Sequence, residues 1–302
     1  MRHSISFAPT PLRYFRFGIP SNFSNKGTGN VLFQLSSTLG IARAFGVEPN
    51  FIGLQTYASI LSKHYRCKHA STIYRNFQEA EPLERAAKFS EFEGCHKQPD
   101  PNLYSFVEKS VKNQNILLDG YFEWPPYFKD ILPEVLSRLR PDRRSKELIL
   151  DKIPAISKKN SVSIHLRNGS LANYEPHFNY HLKAIRFISS LHSNAYFIIF
   201  SERDISELEL SVPHTFVSYD SEYRRDEDYL DIWAMSLCSH NVTGYSTFSW
   251  WGALMNENPY KICTYPNSAL NFITNDDKMG NLLHRDSIHD NYFLRWINVD
   301  DE

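Results

Sequence analysis

The sequence has little glycine, little cysteine, almost no net charge and no long apolar run, and each deficit closes off a class of protein. Twelve glycines in 302 residues suit neither a repeat scaffold nor a loop-rich one. Lys plus Arg, 33, nearly cancels Asp plus Glu, 34, so no bulk field draws polyanions; no basic stripe is long enough for a nucleic acid either. The longest apolar runs, Ala195 to Phe200 and Trp250 to Met255, fall far short of the roughly 20 residues that cross a bilayer. Met1 to Ser6 lead into no apolar stretch of the kind a secretion signal needs, which fits a cytosolic or an N-terminally incomplete chain. The four cysteines, Cys67, Cys95, Cys238 and Cys263, suit buried thiols or one or two bridges.

What is present is a globular composition, 42% hydrophobic and 22% charged, of a size for one compact unit or two packed lobes. Seventeen Tyr, 21 Phe and 5 Trp predict a large core with aromatic-lined clefts. From Gly29 to Gly46, Leu32, Leu35, Leu39, Ala42 and Phe45 recur at helical steps behind the turn Asn25 to Asn30. Ile116 to Phe122 reads as a buried strand, Tyr127 to Leu139 as a helix, and Arg140 to Asn160 as a link. Beyond it the pattern is regular. Strands at 161–166, 195–201, 215–217, 241–243 and 261–265 alternate with helices at 180–191, 228–238 and 249–256, which predicts a parallel sheet covered on both faces. Ligands then belong at the carboxyl ends of strands, near helix N-termini.

Two segments carry the chemistry. The strand Ser161 to Leu166 delivers His165 and, two residues on, Arg167 into a glycine turn, Asn168-Gly169-Ser170. A guanidinium at a strand end holds a diphosphate bidentately and neutralises it as it leaves. The segment Thr243 to Gly252 turns from strand into helix, and Ser246, Thr247 and Ser249 supply hydroxyls and helix-start amides that suit phosphate oxygens. The bland alternatives are a solvated arginine with a core histidine, and a serine N-cap with core tryptophans. Asp231 stands where an acidic run becomes apolar, and is therefore expected to turn inward. The cluster His64, Cys67, His69, Cys95 and His96 matches no common zinc spacing. Asn22, Asn168 and Asn241 each begin a glycosylation triplet, about as many as chance supplies at this length.

In order, these segments resemble the glycosyltransferase family 11 fucosyltransferases, α-1,2-fucosyltransferases that act on galactosides. Gly27-Thr28-Gly29-Asn30 with Phe33-Gln34 resembles the family's glycine-rich turn and Phe-Gln helix; Gly120-Tyr121-Phe122 with Tyr127-Phe128 resembles its Gly-Tyr-Phe block. His165 to Ser170 is similar to the donor motif His-x-Arg-Arg-Gly-Asp, and Phe200 to Arg203 to Phe-Ser-Asp-Asp. Met235 to Cys238 and Ser246 to Ala253 look almost letter for letter like two further blocks. The resemblance implies a GT-B-like α/β enzyme of two Rossmann-like lobes. Residues 1–155 would form the acceptor-side lobe, and 156–302 the GDP-fucose-binding lobe with the parallel sheet. It implies GDP-β-L-fucose as donor, a galactose-terminated glycan as acceptor, inversion at the anomeric carbon, and neither metal nor other cofactor.

By the same resemblance Arg167 clamps the diphosphate with His165 beside it, and Ser246, Thr247, Phe248 and Ser249 bind the donor from the other side. Asp231 would contact the nucleoside, and Gly29 and Asn30 would face the donor from the other lobe. Asn168 stands where the second arginine is expected and Ser170 where the aspartate is; Arg203 is a candidate for the missing charge. Glu123, Glu202 and Asp204 are candidate bases. A binding relative without turnover, or a transferase for another sugar nucleotide, is the alternative that these departures suggest. Eukaryotic members are membrane-anchored Golgi proteins and bacterial ones have no anchor, so the expected compartment is the Golgi in the first case and the cytoplasm in the second.

Overall fold

The computed structural model describes residues 4–7, 28–51, 76–77, 86–90, 100–120, 122–166, 175–201, 210–217, 230–244, 246–266 and 296–299. The chain divides into two compact units, Met1–Leu139 and Arg140–Glu302.

The first unit is built on a four-stranded parallel sheet of β1 (Ser4–Phe7), β2 (Glu48–Phe51), β3 (Ala86–Ser90) and β4 (Asn115–Asp119), in the order β2-β1-β4-β3. Only β4 was legible as a strand in the sequence. The others, like β4 only four or five residues long, carry no apolar run such as Ile116-Leu117-Leu118 to mark them as strands. Helix α1 (Thr28–Ala44) is buried at every position from Thr28 to Ala42, polar ones included, so it runs inside the unit rather than across its surface. Its inward face reads the segment after β4: the Gln34 amide donates to the Gly120 carbonyl, and the Ser37 hydroxyl donates to the Phe122 carbonyl at 2.8 Å. The two sequence blocks Phe33-Gln34 and Gly120 to Phe122 are thus neighbours in space. Helix α2 (Leu103–Ser110) precedes β4. The helix expected from Tyr127 starts later. Two 3-10 turns, Pro125–Tyr127 and Lys129–Ile131, lead into α3 (Leu132–Leu139), because Pro125, Pro126 and Pro133 withhold the amides that a continuous helix would need.

The second unit begins at Arg140 rather than at Ile156. The stretch read as a link is helix α4 (Arg143–Lys152), N-capped by Asp142, which accepts from the Ser145 amide at 2.7 Å, and then a 3-10 turn, Pro154–Ser157. Arg140 and Lys146 both pair with Glu257, at 2.9 and 3.7 Å, and α4 packs on the helix Leu230–Leu237 of the same unit. Charge density alone does not separate a linker from a solvated helix face, which is why the sequence pattern misplaced this stretch.

The sheet of this unit has six parallel strands: β5 (Ser161–Leu166), β6 (Tyr196–Ser201), β7 (His214–Val217), β8 (His240–Val242), β9 (Cys263–Tyr265) and β10 (Ile297–Asn298). Their order is β10-β9-β8-β5-β6-β7. From β5 the chain steps outward to β6 and β7, then returns to β5's other side for β8 and steps outward again. β5 and β8 therefore flank the topological switch point, where an open parallel sheet leaves a crevice at its carboxyl edge.

Alternate residues of β5 face opposite helices. Val162, Ile164 and Leu166 share a core with Tyr180, Ala184, Ile185 and Ile188 of α5 (Glu175–Leu191). Ser163 and His165 face α6 (Leu230–Leu237) and α7 (Thr247–Met255). With both faces covered the strand is buried throughout, as the apolar run predicts.

A buried amide network ties strands to helices. Asn241 donates to the Ser163 hydroxyl and the Met235 carbonyl, both at 2.8 Å, and accepts from Asn256 at 2.7 Å; Asn256 also donates to the Cys238 carbonyl at 2.8 Å. Asn241 is 1% exposed, so its triplet cannot take a glycan in the folded chain. Cys238 and Cys263 are free buried thiols, and burial raises the pKa of both. Cys67 and Cys95, and the whole of the Cys/His cluster, lie outside the described residues.

At the amino edge of the same sheet His240 stacks on His192, with ring centroids 4.7 Å apart, and its Nδ1 accepts from the Ile262 amide at 3.0 Å. Burial, and then the positive charge of His192, pull its pKa down to about 4. A histidine whose folded pKa lies below its unfolded one binds fewer protons when folded, so its neutral form stabilises the fold above the unfolded value. That stability is lost as pH falls from about 6.5 towards 4 and changes no further below that. Chemical denaturation between pH 7 and 4 should show this slope, and His240→Asn, which keeps an acceptor for the Ile262 amide, should flatten it.

Candidate functional site

β8 ends at Val242, opposite Ile164, while β5 continues to Leu166. The tip of β5 is therefore left without a β8 neighbour where the chain after β8 turns away through Thr243 and Gly244 into α7. His165 lies at that tip, 5% exposed, its ring centroid 5.2 Å from that of Phe248 in the first turn of α7. The two sequence segments singled out for phosphate chemistry are thus in contact across the switch point.

The helix start is built by its own side chains. Ser246 is the N-cap: its backbone is extended and its hydroxyl accepts from the Phe248 amide at 3.2 Å. Ser249 donates its hydroxyl to the Ser246 carbonyl at 3.0 Å and accepts from the Gly244 amide at 3.1 Å. Both serine hydroxyls therefore shape the turn, as the bland reading of the segment expects. What the turn offers to an anion is the amide-lined start of a nine-residue helix, in which Thr247 is the first residue and 7% exposed. Losing the Ser246 cap by Ser246→Ala should lower stability by about 1 kcal/mol, measurable by urea unfolding.

Gly244 is required by close approach. A Cβ there would lie 3.2 Å from the His165 carbonyl oxygen and 3.3 Å from His181 Nε2. His181, 5% exposed on α5, is a member of this constellation that the motifs did not reveal. Its only trace in the sequence is a histidine amid the apolar stripe Tyr180, Ala184, Ile185 and Ile188. Behind the turn, Trp250 and Trp251 are core residues in T-shaped contact at 5.1 Å, and α7 packs closely on α6: a Cβ at Gly252 would meet the Met235 Cβ at 2.8 Å. Asp231 is 3% exposed in the first turn of α6, turned inward as expected.

Gly29 and Asn30 form part of the buried first turn of α1 in the first unit. Arg167, Asn168, Ser170, Glu202, Arg203 and Asp204 lie outside the described residues, Arg167 being next in sequence to Leu166 at the tip of β5. Among the described residues no three His, Cys, Asp or Glu side chains gather as metal ligands, and no helix is long and apolar enough to cross a membrane.

The glycosyl transferase family 11 model matches residues 100–281, a range that takes in the blocks from Gly120 to Ala253. An alpha-1,2-colitosyltransferase of Escherichia coli is 26% identical over 253 residues, 75% of this chain and 84% of that protein. The O-antigen biosynthesis glycosyltransferase WbnK of Escherichia coli is 32% identical over 119 residues, 35% of this chain, and the match spans 38% of WbnK. Among solved structures, the fucosyltransferase NodZ from Bradyrhizobium superposes with a TM-score of 0.51 at 13% identity, covering 84% of this chain and 92% of that one. The likeness extends to the α/β, GT-B-like fold.

Proposed function

The chain belongs to glycosyl transferase family 11, and from that premise we propose that it transfers L-fucose from GDP-β-L-fucose to a galactoside hydroxyl, forming an α-1,2 linkage with inversion. The observation that carries this reading is the meeting of His165, at the tip of β5, with the start of α7 at the switch point. Leaving-group departure is the hard part of such a transfer, and it is eased where the negative charge that develops on the diphosphate is stabilised. In this reading the start of α7 takes one side of the diphosphate, Phe248 with His165 forms the wall beside it, and Arg167, next in sequence to the end of β5, supplies the cation. Ser246 acts through the cap that holds that helix start in place. Asp231 toward the nucleoside, and Gly29 and Asn30 toward the donor, rest on the family resemblance. So do the acceptor-side role of the first unit and the donor-binding role of the second. The α-1,2 linkage is supported by the name of the colitosyltransferase relative. Both curated relatives quoted are from Escherichia coli, which supports the cytoplasm over the Golgi as the compartment.

A second reading, favoured by the same relative, keeps the reaction and changes the sugar: the donor is another nucleotide sugar, colitose included. One assay separates the readings. The purified chain is offered labelled GDP-fucose, GDP-mannose, UDP-galactose and a GDP-colitose preparation, with lactose-type acceptors, and the product linkage is determined. An α-1,2-fucosylated galactoside is the expected product. Transfer from a different donor alone replaces fucose in the reading, and GDP binding without turnover of any donor replaces the enzyme by a binding protein.

A further inference from the structure

Resting on the transfer reaction proposed above, the geometry points to His181 as a positioning residue: it sets the turn between β8 and α7, and through that turn the helix start that receives the donor's diphosphate in that reading. All the parts lie in the second unit.

The turn runs along the carboxyl edge of the sheet between two helix layers. α5 covers the side of β5 that bears Val162, Ile164 and Leu166, and α7 meets His165 on the other side. From α7, the Ser249 hydroxyl accepts from the Gly244 amide at 3.1 Å and donates to the Ser246 carbonyl at 3.0 Å, so the glycine is tied to the cap of the helix. From α5, His181 closes on the same glycine. A Cβ there would lie 3.3 Å from Nε2 and 3.5 Å from Cε1, which makes the edge of the imidazole the surface that the turn rests on. The His165 carbonyl oxygen, 3.2 Å from the same Cβ position, bounds a further side. In a close-packed interior a residue bounded in this way does not shift without moving a neighbour.

The distance between His181 and Gly244 is fixed by a common anchor, Thr264 of β9. Tyr180, one residue before His181, pairs its hydroxyl with that of Thr264 at 3.0 Å, and its ring stands in T-shaped contact with His181 at 5.0 Å. Thr243, one residue before Gly244, donates its amide and its hydroxyl to the Thr264 carbonyl, at 3.0 and 2.9 Å. Helix and turn are thus both referred to one strand. His181 is 5% exposed on an otherwise apolar stripe, where an aliphatic side chain would cost less desolvation. What the imidazole contributes is a flat, rigid edge against a backbone with no side chain of its own.

The consequence falls on the start of α7. Helix-start amides hold phosphate oxygens by direction and distance, and a misplacement of about 1 Å can cost as much as about 10²-fold. His181 acts there through Gly244, Ser249 and Ser246.

The test uses His181→Ala and His181→Gln in the full chain, with GDP affinity measured by calorimetry well below each thermal midpoint. His181→Ala should raise the GDP Kd roughly 5- to 30-fold, while His181→Gln, whose amide extends towards the place of Nε2, should stay within about threefold of the parent. His181→Asn, which is shorter, replaces the Ala chain if that chain is unfolded at the assay temperature, and should show the same loss. Ser246→Ala is combined with it. Because both residues act on one turn, the double variant should bind GDP within about threefold of the weaker single variant. A Kd within about twofold of the parent in the Ala or Asn chain overturns the assignment. So does a Gln chain as weak as the Ala chain, or losses that multiply in the double variant, which mark a role unconnected with the turn. A parent chain that binds neither GDP nor any donor overturns the transferase reading and this assignment together; a parent that transfers sugar beside an unaffected Ala variant overturns this assignment alone.

Discussion

Arg167→Ala is expected to weaken GDP binding by roughly 10- to 100-fold and to lower transfer at least as much. On the proposed reading its guanidinium would make charge-assisted, bidentate bonds to phosphate oxygens; such bonds are worth about 1.5–3 kcal/mol each, and about 1.4 kcal/mol is a tenfold change in affinity. Of the motif's two expected cations this chain keeps one, Asn168 standing in the second place, so there is less redundancy to absorb the loss. Arg167→Lys should recover only part of it, because an ammonium cannot form the planar fork. Calorimetric titration with GDP at fixed ionic strength checks this, and an unchanged Kd would remove Arg167 from the donor site. Arg203→Ala, measured beside it, asks whether that arginine supplies the missing charge. A drop comparable to that of Arg167→Ala is expected if it does, and no change removes the idea.

Gly40→Ala is expected to destabilise the first unit by at least about 3 kcal/mol, beyond the usual range for one added methyl. The new Cβ would stand 2.0 Å from the Tyr127 carbonyl oxygen and 2.8 Å from the Phe128 Cα. Both obstacles are backbone, so no rotamer change relieves the clash. Helix α1 would have to withdraw from the 3-10 turn at Pro125–Tyr127, and the Gln34 and Ser37 bonds to Gly120 and Phe122 would lengthen with it. The segment after β4 is therefore coupled to this packing. Gly46 provides the control: it has φ +65° with nothing near its Cβ position, so Gly46→Asn, which tolerates that conformation, should lose little. Urea unfolding of the three chains distinguishes them, and a Gly40→Ala chain as stable as the parent would mean that α1 does not approach the turn so closely.

The parts of the fold that the sequence announced are those whose local pattern matches their final environment. β5 reads as a buried strand because it is covered on both faces, and α7 reads as a capped helix because Ser246 makes its cap within the turn itself. The parts it hid depend on distant partners. β1, β2 and β3 are short and lack the apolar run that marks β4, and α4 looks like a charged linker until Glu257 bridges Arg140 and Lys146. His181 shows the same limit at the site. Nothing local distinguishes it from a core histidine, and only the fold brings it against Gly244.

By itself, then, the sequence determined the chemical types it offers, a histidine near the end of a strand with an arginine two residues on and a hydroxyl-rich helix start, together with the family they resemble. Those features are local, carried by side-chain identity and backbone preference within a few residues. Only the tertiary structure decided that His165 meets Phe248, that β5 and β8 flank the switch point, and that Gln34 and Ser37 of α1 hold the segment after β4. Each of these depends on strand order and on the close approach of segments far apart in the chain. Such pairings are selected by burial and hydrogen bonding of the whole unit, which no short stretch of sequence encodes.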